Sequence, residues 1–121
     1  MKIAEWRGTR PARVLFWLAA VFAFVMAVLP HPPDIPGNPN DKLQHIAAFT
    51  TLALFGGFAF PATAPLQLLL RLSLFGAFIE VVQAIPALHR DSDVLDWLAD
   101  TLAVAVTLLI VRCWQRWRTK V

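Results

Sequence analysis

Apolar residues run along this chain in four long blocks, divided by short polar or proline-bearing connections. The first, Val14 to Leu29, is unbroken; the others run from Leu43 to Phe60, Leu66 to Ile85 and Val94 to Val111. None has the two-residue alternation of a half-buried strand, and a bilayer admits only helices or closed barrels. Each block is close to the roughly 20 residues with which a helix crosses hydrocarbon. The pattern predicts an all-α chain: a single integral-membrane domain over residues 1–121, folded as a four-span transmembrane helical bundle.

Turn chemistry marks the boundaries. The segment "PHPPDIPGNPND" precedes the second block, with Asn40 or Asp41 as N-cap, and Pro61 ends it. Pro30 to Pro39 reads as a stiff extended loop. The link "PATAP" is so short that blocks two and three form an antiparallel hairpin. Pro86 stops the third block, and Ser92 or Asp93 caps the fourth. A basic start suits a signal peptide, but the first block is long and no small-x-small site precedes Pro30, so a retained span is expected.

Composition agrees with a membrane class. Hydrophobic residues make up 58% of the chain and charged ones 16%, against about 45–50% and about 25% in soluble domains. The net charge of +3 does not imply nucleic acid, because the basic residues flank the apolar blocks instead of lining one face. The single cysteine, Cys113, excludes an intramolecular disulfide and a thiolate metal cluster.

Charge placement sets an expected orientation. With four spans and a cytoplasmic N-terminus, both termini are cytoplasmic. Lys2, Arg7, Arg10, Arg13, Arg71, Arg112, Arg116, Arg118 and Lys120 then lie inside, leaving only Lys42 and Arg90 outside. This bias matches the positive-inside rule for short loops. Trp17, Trp97, Trp114 and Trp117 fall near block ends, as an interfacial belt requires.

Against this background the charges in "FIEVVQAIPALHRDSDVLDWLAD" stand out. Glu80 lies about 7–8 Å inside the end of its helix, and Gln83 follows on the same face. Asp96 and Asp100 share a face of the fourth helix, and Asp41 and His45 share one on the second. An ionised carboxylate in hydrocarbon costs a few kcal/mol, so such residues face a bundle interior and pair. The spacing predicts a polar pocket at the outer membrane face, built from Asp41, Lys42, His45, Glu80, Gln83, Arg90, Asp96 and Asp100. His89 lies on the same side; His31, in the proline loop, reads as a solvated bystander.

The chain resembles the VanZ-like family of small bacterial membrane proteins. The resemblance rests on "DKLQH" (Asp41, Lys42, His45), "EVVQ" (Glu80, Gln83) and "RDSDVLDWLADTLA" (Arg90, Asp96, Asp100), in that order, and covers about Asp41 to Val111. Asp100 departs from the Asn common in the family, and Ala103 from the Gly. The resemblance implies a multi-pass protein of the bacterial cytoplasmic (inner) membrane. It carries a family association with teicoplanin resistance but no defined reaction.

Three classes of function stay open at this stage. One is recognition of a cell-envelope component: a lipid headgroup, a lipid-linked carrier or a peptidoglycan precursor. It is favoured by helix N-termini and two cations at the outer face, although Asp41, Asp91, Asp93 and Asp96 partly cancel that field. A second is a membrane-embedded enzyme using His45, Glu80 and Asp96 as an acid–base or metal site, but HExxH, a nucleophile elbow and a cysteine cluster are all absent. The third is a structural helix-bundle subunit or proton-coupled transporter component; transport by so short a chain calls for a homo-oligomer. No cofactor and no resident metal are expected. The expected partners are the lipid bilayer and an anionic envelope ligand.

Overall fold

The computed structural model describes residues 10–29, 41–88 and 93–120. Four α-helices follow one another: α1 Arg10–Val28, α2 Asp41–Ala59, α3 Pro65–Gln83 and α4 Val94–Lys120, with a 3-10 turn at Pro86–Leu88 before the last. α1, α3 and α4 are long and apolar enough to cross a membrane, and α2 adds a shorter apolar helix, Leu43–Ala59. At 1.5 Å per residue the 19 residues of α1 extend about 28 Å, near the thickness of a hydrocarbon core.

The helices depart from the apolar blocks at their ends. α1 starts at Arg10, before Val14, with Pro11 in the first turn, where a missing N–H costs nothing. α3 ends at Gln83 instead of Ile85, because Pro86 disfavours helical backbone at the residue before it. α4 continues to Lys120, well past Val111, since Arg, Gln and Trp sustain a helix as readily as the apolar run does. Asp93 is the cap that forms: its Oδ1 accepts the Leu95 N–H at 2.9 Å. Ser92, Asn40 and the proline stretch lie outside the described residues.

Helices consecutive in the chain run antiparallel, so α2 and α4 lie parallel, and α2 is central, packing on α1, α3 and α4. Phe49, Leu52, Ala53, Leu72, Ile79, Val104 and Leu108 form the core. Close approach depends on two adjacent glycines. A Cβ on Gly57 would stand 2.9 Å from Val111 Cγ1, and one on Gly56 would stand 3.1 Å from the Phe16 ring. Small residues thus let α4 and α1 seat on opposite flanks of α2. Phe16 completes its side of the seam edge-on to Phe60, centroids 5.2 Å apart.

Polarity is inverted relative to a water-soluble bundle. Trp17, Leu18, Phe22, Leu74, Val81, Leu102 and Leu109 are exposed, whereas His45, Glu80, Gln83, Asp96 and Asp100 are buried. A soluble monomer does not present so continuous an apolar perimeter. A hydrocarbon solvent reverses the sign of the preference.

At the end formed by the α2–α3 turn, Arg112 supplies a collar. It donates from Nη1 to the Pro61 carbonyl (2.8 Å) and from Nη2 to the carbonyls of Phe60 (3.2 Å) and Thr63 (2.6 Å). Gln115 donates to the Gly57 carbonyl at 3.3 Å, and Arg13 to that of Ala59 at 3.3 Å. The Gly57 and Ala59 carbonyls belong to the last turn of α2 and those of Phe60, Pro61 and Thr63 to the turn that follows it, and two cations there also complement the α2 dipole.

Candidate functional site

The opposite end of the bundle brings together the start of α2, the end of α3 and the start of α4. His45 lies one turn into α2, Glu80 in the last turn of α3, and Asp100 in the second turn of α4. Three helices that are distant in sequence thereby converge on one buried point. His45 Nδ1 stands 3.0 Å from Asp100 Oδ2 and 3.8 Å from Glu80 Oε1. One ligand-type atom from each residue lies within 4.8 Å of the other two.

Local structure holds these groups in place. The second Glu80 oxygen, Oε2, accepts the Asp93 N–H at 3.0 Å, so the residue that caps α4 also orients the glutamate of α3. Gly76, one turn before Glu80, leaves room for the α4 side chains: a Cβ there would lie 3.6 Å from Asp100 Oδ2 and 3.4 Å from Phe49. Asp100 is 1% exposed and Gln83 fully buried. Low dielectric strengthens every interaction in such a cluster, favourable or not.

The expected pocket residues divide into three groups. His45, Glu80 and Asp100 meet directly. Gln83 is buried but turns to α1, donating from Nε2 to the Ala27 carbonyl at 2.9 Å; its Oε1 is a buried acceptor with no hydrogen bond among the described residues. Asp96 is buried one turn before Asp100, and its N–H donates to the Asp93 carbonyl at 2.9 Å. Asp100, and not Asp96, joins His45 and Glu80 in the three-residue cluster. Asp41 and Lys42 open α2, but their side chains, together with all of His89 and Arg90, lie outside the described residues.

A groove of about 640 Å³ opens beside the cluster. Its walls are the second half of α1, including Phe22, Ala23 and Met26, and the first half of α2, with Ile79 contributed by α3. Small side chains, Ala19, Ala23 and Ala48 among them, make the space. His45 lines this groove and also meets both carboxylates, so one imidazole joins an apolar channel to a buried polar cluster.

Some polar contacts are invisible to reasoning from charge. Trp97 is half-buried, and its indole N–H donates to the Ser73 carbonyl at 3.0 Å. Thr101 donates its hydroxyl hydrogen to the Trp97 carbonyl, so Ser73 is the donor in the 2.9 Å Ser73–Thr101 pair. The signal was a small hydroxyl in each of two apolar helices, a usual cement between spans. The groove had a fainter one, the alanines of α1. Comparison with protein-family models, curated proteins and solved structures finds no match.

Proposed function

We propose that this chain is a VanZ-like, four-span protein of the bacterial inner membrane that recognises a phosphate-bearing lipid of the cell envelope at the outer leaflet. Both termini are then cytoplasmic, and the cluster of His45, Glu80 and Asp100 lies near the outer surface. One observation carries the reading: His45 belongs at once to an apolar groove and to a buried polar cluster. A molecule with a long hydrocarbon tail and a polar head matches that combination, the tail along α1 and α2 and the head beside His45. Apolar pockets with a few converging polar groups are the usual form of a small-molecule site. Lys42 and Arg90, on the same side in sequence, supply positive charge for the head.

The test is ligand-dependent thermal stabilisation of the full-length protein in detergent. A polyprenyl phosphate should raise the unfolding midpoint with concentration, and the uncharged polyprenol should not. His45→Ala should remove the shift. Equal stabilisation by the alcohol and the phosphate would overturn headgroup recognition.

The hydrogen-bonded His45–Asp100 pair favours a second reading, acid–base catalysis on such a lipid. Release of inorganic phosphate from a polyprenyl phosphate or diphosphate, lost in His45→Ala, would mark it.

A further inference from the structure

Two buried carboxylates pose a difficulty for a site that accepts a phosphate, since like charges in a low-dielectric setting repel strongly. A cation between them resolves it. We propose that His45, Glu80 and Asp100 form a binding site for one divalent ion of the zinc class; the ion's role toward a lipid phosphate, though not the site itself, rests on the preceding reading.

Geometry supports the assignment. Ligand atoms about 2.0–2.1 Å from a tetrahedral zinc stand roughly 3.3–3.4 Å apart. His45 Nδ1 lies 3.0 Å from Asp100 Oδ2 and 3.8 Å from Glu80 Oε1, one separation on each side of that edge length. The third separation, at most 4.8 Å, closes by rotation of carboxylates whose backbones are already placed by helices. The imidazole then presents the Nδ1 lone pair with its proton on Nε2, and the ion replaces the hydrogen bond to Asp100.

The donor set selects the ion. One imidazole with two carboxylates and no thiolate is unsuited to soft cuprous copper. A nitrogen ligand and a compact three-point site are equally unsuited to magnesium, which keeps several waters in an octahedral shell. Zinc accepts nitrogen and oxygen at this spacing, and three protein ligands leave a fourth position open. A divalent ion also matches the charge of the two carboxylates.

Surrounding structure fits a metal centre as well. Glu80 Oε2 is held by the Asp93 N–H, which aims Oε1 back toward His45. Such outer contacts orient a ligand and typically change affinity about 10–100-fold when removed. The groove that reaches His45 provides an entry path for the open position. A phosphate oxygen bound there would carry the lipid head without meeting the carboxylates directly.

The experiment uses full-length protein purified in detergent, stripped with chelator and titrated with Co²⁺, whose visible d–d absorption reports low-symmetry coordination. The proposal expects saturation at one ion per chain, displacement by Zn²⁺, and loss of the band in His45→Ala, Glu80→Gln and Asp100→Asn. Arg71→Ala, at an exposed position, should retain it. Should those cluster variants fail to fold, the wild type decides alone: Zn²⁺ must raise its thermal midpoint and chelator reverse the rise. A wild type with no band and no midpoint shift, or a band that survives His45→Ala, overturns the site. If polyprenyl phosphate stabilises chelated protein as well as loaded protein, the ion's role toward the lipid fails while lipid recognition stands; if Co²⁺ binds and the lipid does not, the metal site stands and lipid recognition fails.

Discussion

Asp100 Oδ2 lies 3.0 Å from His45 Nδ1 although 55 residues separate the two in the chain. The contact fastens α4 to α2 at a depth where water cannot substitute for either partner. Removing one member of a buried polar pair leaves the other stranded, at a cost of about 3–5 kcal/mol, whereas removing both costs less. His45→Ala and Asp100→Ala should each destabilise the bundle strongly, and the double variant should fall short of their sum by about 0.5–3 kcal/mol. Reversible unfolding in mixed micelles measures the cycle; strict additivity would mean that the pair is not coupled.

The glycines of α2 and α3 should respond differently to one methyl group. At Gly57 a Cβ would meet Val111 at 2.9 Å, while at Gly76 its nearest neighbour would be 3.4 Å away. Gly57→Ala should therefore lower stability by about 1–3 kcal/mol, the usual range for overpacking. Gly76→Ala should be close to neutral. Thermal midpoints of the two purified variants settle the order.

Arg112 serves three carbonyls through one planar group. Arg112→Ala should cost about 1–3 kcal/mol by stranding acceptors. Lysine should restore little, because an ammonium lacks the spread of a guanidinium fork. Amide exchange at Thr63, whose N–H bonds the Phe60 carbonyl at 3.0 Å, should quicken in both variants.

The native thiol offers a direct test of orientation. Cys113 is the single cysteine and is exposed on α4, at the Arg112 end of the bundle. With both termini cytoplasmic, a membrane-impermeant maleimide should leave it unlabelled in intact cells and label it after permeabilisation. Labelling of intact cells would invert the topology and put the His45 cluster on the inner side.

A bulky residue in the groove should separate tail binding from the polar cluster. Ala48 lines the channel, so Ala48→Trp should abolish stabilisation by polyprenyl phosphate yet keep the Co²⁺ band. Loss of both would mean that the channel and cluster are one structural unit.

The sequence announced the bundle because its determinants are local. Four apolar runs, prolines at 61 and 86, and a capping aspartate at 93 each act within a turn or two of their own position. The burial of Glu80, Gln83, Asp96 and Asp100 was legible to the same depth, since it follows from the expense of carboxylates and amides in lipid. Which aspartate meets His45 was not legible. Asp96 and Asp100 occupy one face of α4, and choosing between them depends on the axial offset between α2 and α4, fixed by Gly57 against Val111 far from either residue. The groove likewise arises from the absence of bulk at Ala19, Ala23 and Ala48, and small side chains carry no chemical mark of the space they leave.

The Arg112 collar gives the two ends of the molecule unlike temperaments. A guanidinium keeps its proton throughout the physiological range, and its acceptors are main-chain oxygens that no titration alters, so that rim answers to neither acidity nor dissolved ions. At the far rim the contacts run between an imidazole and two carboxylates, side chains of the ionisable kind. Both rims are tied, one by main-chain acceptors deaf to the medium and the other by side chains whose chemistry depends on it.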